Sequence, residues 1–234
     1  MLKNLVRRSA KYEGLPETAA IRAALTSAAR SGWPYCPADE GDLLFQLAKA
    51  AGEANALEVG FATGSTAAYM LQGLGSGHLT SIDYDQNQYE REGVKLVASL
   101  GFAPRHRLIE DNSIRALPQL HAAGERFGLV FLDGWKTFDH MWVDTFYAAR
   151  MLNRGGFMVF DDARMPAVLK CVSLLQMYYR FGSVDTYARV GGSRLRLWHM
   201  LSTRTTLQPY VALQKVVDIE HTDAGKQFDF WAPF

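Results

Sequence analysis

The sequence predicts an α/β protein: a doubly wound, mostly parallel sheet finished by an antiparallel C-terminal hairpin. Three observations carry this reading. Short apolar runs alternate with helix-length segments from Ala56 to Ala163. Two of the runs, Leu129–Leu132 and Phe157–Phe160, are continuously apolar, the pattern of parallel strands buried on both faces. Between them lies a segment of crossover length closed by Gly155-Gly156, which fits a βαβ unit. The first run ends at Asp133 and the second at Asp161-Asp162. Ligands of open α/β sheets collect outside the carboxyl ends of the strands, so these acids mark a candidate site.

Taken in order, Leu2–Ser31 reads as one or two helices, with Ile21, Leu25 and Ala28/Ala29 at helical spacing. Pro34 and Pro37 bracket a turn, and Asp39 is placed to cap a helix through Leu43, Leu44, Leu47 and Ala50. Ala56–Val59 is the first strand, and a helix follows from Ser65 to Leu74. His78–Ile82 is the second strand, ending at Asp83; a polar helix over Gln86–Leu100 closes at Gly101. Arg107–Ile109 is the third strand, stopping at Glu110-Asp111-Asn112, and a helix over Ile114–Ala122 leads into the apolar pair. Beyond Asp162, a helix carries Val168, Leu169, Val172 and Leu175. Val184–Val190 reads as a strand, Gly191-Gly192 as a turn and Leu195–Met200 as its hairpin partner, with Arg194 and Arg196 as charges on a strand face.

The chain has 234 residues, enough for one large domain. It divides into N-terminal helices (1–52), an α/β core (53–200) and a tail (201–234). The tail ends in Phe228, Phe230, Trp231 and Phe234, aromatic residues that read as docked on their own domain, or else as a homodimer arm or a flap over the site. A net charge of +1 gives no polyanion-binding surface, so nucleic acid is not an expected partner. Two cysteines, Cys36 and Cys171, are too few for a disulfide scaffold or a thiolate metal site. The N-terminus lacks the apolar stretch of a secretory signal, and no run approaches the ~20 apolar residues of a membrane span. A cytoplasmic protein without stable membrane association is expected.

Between the first strand and its helix lies Glu58-Val-Gly60-Phe-Ala-Thr-Gly64. Glycines there let backbone approach a ligand, and the following helix N-terminus favours an anionic group; the same residues would also serve a tight turn. A dinucleotide fingerprint wants glycine at positions 60, 62 and 65, and this chain has Gly60, Ala62 and Ser65. An NAD-dependent oxidoreductase is therefore disfavoured. Asp83 is placed to accept hydrogen bonds from a ribose diol.

Several motifs together resemble one family. Glu58-Val-Gly60 with Gly64, then Ile82-Asp83, resembles the cofactor loop and ribose acid of class I S-adenosylmethionine methyltransferases. Ala38-Asp39-Glu40-Gly41 is similar to the segment before that loop in the catechol and caffeoyl-CoA O-methyltransferases. Val130-Phe-Leu-Asp-Gly-Trp-Lys136 and Phe160-Asp161-Asp162 resemble that group's two strand-end motifs. The resemblance runs from about Trp33 to Asp162 and implies a Rossmann-like fold. It implies S-adenosylmethionine as cofactor, lined by Glu58, Thr66, Asp83, Tyr84 and Ser113. Cys36 presents its backbone, Gly60 and Gly64 shape the loop, Asp111 or Asn112 lies near the adenine, and Trp135 adds an edge contact. It further implies Mg²⁺ held by Asp133, Asp161 and Asp162, with Asp133 also beside the cofactor. Oxygen ligation by itself favours a hard ion, Mg²⁺ or Ca²⁺. Without an ion, Asp162 would serve as a helix cap and Asp133-Gly134 as a turn.

In this reading Lys136 is the general base for a small hydroxylated substrate, since a nearby divalent ion favours its neutral amine. His140 is the lesser candidate. Two departures argue against a catechol substrate: Asp139 stands where the catechol enzymes have tyrosine, and their downstream diol-orienting acid has no counterpart between Ala163 and Val190. The chain is also similar to bacterial and antibiotic-tailoring methyltransferases. The competing class is an adenosine-cofactor-binding module without catalysis, against which the clustered aspartates speak.

Overall fold

The computed structural model describes residues 12–30, 32–203 and 209–219. Its centre is a seven-stranded sheet in the order β3-β2-β1-β4-β5-β7-β6. The strands are β1 (Ala56–Val59), β2 (Leu79–Asp83), β3 (His106–Glu110), β4 (Phe127–Leu132), β5 (Leu152–Phe160), β6 (Phe181–Ser183) and β7 (Val211–Lys215). The first five are parallel, and β7 runs antiparallel to both β5 and β6. The doubly wound, mostly parallel sheet with antiparallel C-terminal strands is as expected.

Side chains on β4 alternate between two apolar layers. Val130 and Leu132 join Met158 and Phe160 on one face, under α5 (Ser113–Ala122), α6 (Phe138–Met151) and α7 (Pro166–Tyr179). Leu129 and Phe131 join Phe157 and Val159 on the other, under α2 (Ala38–Ala51) and α3 (Ser65–Gly73). Burial on both faces is why these strands read as unbroken apolar runs. A short α1 (Ala19–Ala28) packs Ile21 and Leu25 against Phe45 and Tyr69. Among the described residues no helix is long and apolar enough to cross a membrane.

Several expected elements are corrected. Asp39 lies inside the first turn of α2, whose N-cap is Pro37. The expected Gln86–Leu100 helix divides into a 3₁₀ turn, Gln86–Tyr89, and α4 (Glu92–Ser99), because Glu90 and Arg91 both take left-handed backbone angles. Gly155 and Gly156 lie within β5; the preceding helix has already ended at Met151.

The largest correction concerns the C-terminal strands. The segment expected to form a strand and hairpin, Val184–Met200, contains α8 (Thr186–Arg189) and most of α9 (Gly192–Thr203). Asp185 starts α8 by accepting the Ala188 N–H at 3.1 Å. Leu195 is buried while Leu197 is 56% exposed, so the Leu/Arg alternation does not mark two faces of a strand, and Arg194 and Arg196 sit on a helix. The antiparallel pair is β6 with β7, and β7 falls within the stretch set apart as a tail. Residues 2–11, Ser31 and the aromatic end from Phe228 to Phe234 lie outside the described residues.

Candidate active site

Strand register brings the candidate residues to one edge. Val59 pairs with both Ile82 and Leu132, and Leu132 pairs with Phe160, so the strands end level. Gly60, Asp83, Asp133 and Asp161 each follow or close one of these ends. The Asp133 N–H donates to Val59 O at 2.8 Å and the Asp161 N–H to Leu132 O at 3.3 Å, which carries the ladder one residue past β4 and β5.

The loop after β1 is held from below. Asp83 Oδ2 accepts the N–H groups of Phe61 (2.9 Å) and Ala62 (2.7 Å), while Oδ1 accepts that of Asp85 (3.1 Å). Gly60 has φ +95°, and a Cβ there would overlap the carbonyl oxygen of Asp133. Only glycine lets the two loops touch. Ala62 is left-handed at φ +43° without being glycine, a conformation that costs ~1–2 kcal/mol and that the two Asp83 hydrogen bonds help hold.

Glu58 lies beneath this loop, fully buried. Its carboxyl accepts Thr66 Oγ1 at 2.5 Å and Ser81 Oγ at 2.6 Å. Loss of solvent pushes it up to about 8, against the pull of those two hydroxyls. His106 reaches the same Ser81 hydroxyl at 3.0 Å and stacks on Phe61; burial pushes it down to about 4. Glu58 and Thr66 therefore brace the loop from within. Cys36 donates its backbone N–H to Ser65 Oγ at 3.0 Å, and burial beside Glu40 pushes its thiol well up.

Two connected hollows open on this edge. The larger, about 500 Å³, is lined by Gly60, Asp83, Tyr84, Asn112, Ser113, Asp133, Trp135 and His140 among others. Tyr84 and Trp135 are 76% and 69% exposed, flat aromatic surfaces at its rim. Asp111 also lines it, but an ion pair with Arg115 holds its carboxyl below the ordinary range. Asn112 spends its side-chain oxygen on capping α5 through the Ile114 N–H at 3.0 Å. The smaller hollow, about 150 Å³, is lined by Cys36, Glu40, Gly60, Ser65, Thr66, Asp133 and Asp161 among others.

Asp133, which lines both hollows, Asp161 and Asp162 bring one carboxylate oxygen each within 4.8 Å of one another. Lys136 Nζ lies 2.6 Å from Asp133 Oδ1, 3.7 Å from Asp162 Oδ2 and 3.2 Å from the Gly134 carbonyl. Loss of solvent pushes Asp133 up to about 7; Lys136 opposes this, and Asp161 and Asp162 add to it. Asp162 sits at φ +51°, a strained angle for a non-glycine residue. It does not cap α7, whose N-cap is Met165. Three hard oxygen donors at this spacing suit an oxygen-seeking divalent cation.

Two residues at the site were given no role by the sequence, although one of them, Glu40, lies in a motif that carries the resemblance. Glu40, in the first turn of α2, is 5% exposed with Oε1 lacking a hydrogen-bond partner. Asp144 on α6 is 1% exposed beneath Gly134; burial pushes it up to about 6, against the opposing pull of Ser113, His140 and Lys136.

Residues 57–163 match the family model of a methyltransferase domain. The match runs from β1 through both acid-ended strands. Over these residues the chain is similar to methyltransferases. A search of curated proteins finds no match to it. Among solved structures, the chain is similar to a cofactor-bound protein from MTB, with 21% identity, TM-score 0.63 and coverage of 87% of this chain and 91% of that one. It is also similar to the O-methyltransferase of Streptomyces achromogenes involved in tomaymycin synthesis, solved with SAM, at 20% identity, TM-score 0.55, and 87% and 92% coverage. An O-methyltransferase from Bacillus cereus in complex with SAH shares 17% identity, TM-score 0.58, and 86% and 93% coverage. These likenesses establish the fold of the chain.

Proposed function

We propose that this protein is a methyltransferase that moves a methyl group from S-adenosylmethionine to a hydroxyl oxygen of a small molecule, assisted by a divalent cation. The observation that carries the reading is the meeting of Asp133, Asp161, Asp162 and Lys136 beside a cleft large enough for a nucleoside. S-adenosylmethionine, when bound, supplies an electrophilic methyl on a sulfonium. Asp83 would hold the ribose, Trp135 and Tyr84 would border the adenine, and the Gly60–Gly64 loop would admit the sulfur-bearing chain. A Mg²⁺ or Ca²⁺ ion would be held by Asp133, Asp161 and Asp162 and would supply Lewis acidity to the acceptor hydroxyl.

Lys136 Nζ is the group placed to take the hydroxyl proton. Its present partners are the same carboxylates that suit a cation; with Asp133 and Asp162 holding one, Lys136 would be released from both for proton transfer. Much of the rate then comes from orientation, because the methyl group is already reactive. Two features support a small acceptor over a nucleic acid: a near-neutral chain and a site edged by carboxylates. The test is incubation with labelled S-adenosylmethionine and a panel of hydroxylated metabolites, with Mg²⁺ or EDTA. Methyl transfer that EDTA stops and Mg²⁺ restores supports the reading; transfer indifferent to EDTA removes the cation from it.

A further inference from the structure

Residues 209–211 pass the carboxyl end of β5 on their way into β7 and are tied there on two sides. Pro209 O accepts the Ala163 N–H at 2.8 Å, and the antiparallel pairing then begins with Val211 opposite Phe160. Tyr210 is 2% exposed within the apolar layer of Phe157 and Val159, and its hydroxyl donates to Asp39 Oδ2 at 3.0 Å. Asp39 stands in the first turn of α2 and is itself buried. The segment therefore fastens the loop after β5 to a helix on the other side of the site. Neither Asp39 nor Tyr210 lines either hollow, so neither reaches a ligand there directly.

Resting on the cation reading above, we infer that Tyr210 is a positioning residue: through Asp39 it fixes the Pro209 carbonyl against Ala163 and so holds Asp162 where its carboxylate meets Asp133 and Asp161. Asp162 is the strained member of that trio, at φ +51°. A non-glycine residue keeps such an angle only where its surroundings over-determine it. The three carboxylates within 4.8 Å of one another repel, so the cluster itself does not favour the strained arrangement. The restraint comes from the flanks of Asp162. On its own side of the loop the Asp162 carbonyl accepts the Met165 N–H at 2.8 Å. The Ala163–Pro209 bond is the tie to a distant part of the chain, and rotation at Asp162 turns the Ala163 amide away from Pro209. Pro209 lies outside β7, which begins at Val211, so the ladder does not hold it; the neighbouring Tyr210 hydroxyl supplies the anchor. Groups of this kind, one step removed from metal ligands, set how well those ligands are oriented.

The test measures Mg²⁺ dissociation constants by calorimetry on the full chain, with circular dichroism to confirm folding. The variants are Tyr210→Phe, which keeps the ring and loses the hydroxyl, Asp39→Asn, and the two combined. Leu213→Val, a buried change in β7 away from the tie, serves as the control for general loosening. Each single variant of the tie is expected to weaken Mg²⁺ binding about tenfold. The double variant is expected to be no weaker than the worse single, because both changes break one interaction. Hydrogen exchange over residues 161–165 is expected to quicken in all three. Leu213→Val is expected to lower the melting temperature and leave Mg²⁺ affinity within about twofold. Unchanged Mg²⁺ affinity in Tyr210→Phe overturns the inference, as do additive losses in the double variant or an equal loss in Leu213→Val; each leaves the cation reading standing. If wild type binds no Mg²⁺, the cation reading fails and the inference falls with it.

Discussion

Lys136 Nζ sits 2.6 Å from Asp133 Oδ1, with Asp162 Oδ2 on its other side at 3.7 Å. The ammonium thus lies against two of the three carboxylates that would hold a divalent ion. Lysine and metal compete for the same oxygens, and the proposed chemistry depends on the metal winning.

Replacing Lys136 with Met is therefore expected to do two opposite things. Single-turnover methyl transfer should fall by roughly 10²–10⁴, the usual worth of a positioned general base. Affinity for Mg²⁺, read by calorimetry, should rise or hold. A variant that loses metal binding along with turnover would show that Lys136 organises the acids rather than takes the proton.

Removing an acid should erase the response to metal. Mg²⁺ at about a hundredfold above its dissociation constant stabilises a folded site by ~2.7 kcal/mol, which raises the melting temperature by several degrees. Asp161→Ala and Asp162→Ala should each abolish that rise in a thermal-shift titration. A full rise in either variant would place the ion elsewhere.

Glu58 sets a pH dependence of stability. Its folded-state value of about 8 lies above its ordinary 4.5, so the native state holds the proton more tightly than the unfolded chain does. The favourable contribution is complete below about 4.5 and is lost as pH rises through about 8. Glu58→Gln, which keeps the shape without the ionisation, should flatten the melting-temperature profile between those limits. His106 works in the other direction: depressed to about 4, it costs stability as pH falls from 6.5 towards that value. A Glu58→Gln profile as steep as that of the wild type would exclude the carboxyl as the cause.

Gly60→Ala and Gly124→Ala separate conformational strain from contact. Both glycines have positive φ, but a Cβ at Gly124 meets nothing within 4 Å, whereas one at Gly60 strikes the Asp133 carbonyl. Gly124→Ala should cost about 1 kcal/mol by denaturant melt. Gly60→Ala should cost measurably more and also weaken S-adenosylhomocysteine binding, because it drives apart the loop and the acid. Equal costs would mean that the two loops do not need their contact.

Much of the sheet and the acid edge was legible because β4 and β5 are buried on both faces. Such strands must be apolar throughout, and the first acid marks where the backbone leaves the core. Lys136 was legible only through resemblance; alone it reads as a surface charge. What escaped notice did so for identifiable reasons. Glu40 and Asp144 look like ordinary polar positions on amphipathic helices, and nothing local marks that the fold buries them. β7 was missed because it ends in Lys215, an odd residue for an inner strand. In the structure its ammonium is buried and donates to the carbonyls of Ala149 (3.1 Å) and Leu152 (2.6 Å), turning a charge into a clamp at the end of α6. The Leu/Arg alternation around Leu195 imitated a strand because the helix buries one leucine and exposes the next.

The position of β7 between β5 and β6 has a consequence for how the chain is made. All five parallel strands, and with them every residue proposed to hold donor, metal or proton, have been synthesised by Asp162. β6 has no sheet partner until residues 211–215 emerge from the ribosome, because its hydrogen bonds are all to β7. A nascent chain stalled before Val211 thus presents the outer edge of β5 as an open ladder, ready to accept a strand from another polypeptide. Among the described residues, the strand made last is the one that covers the edge of β5.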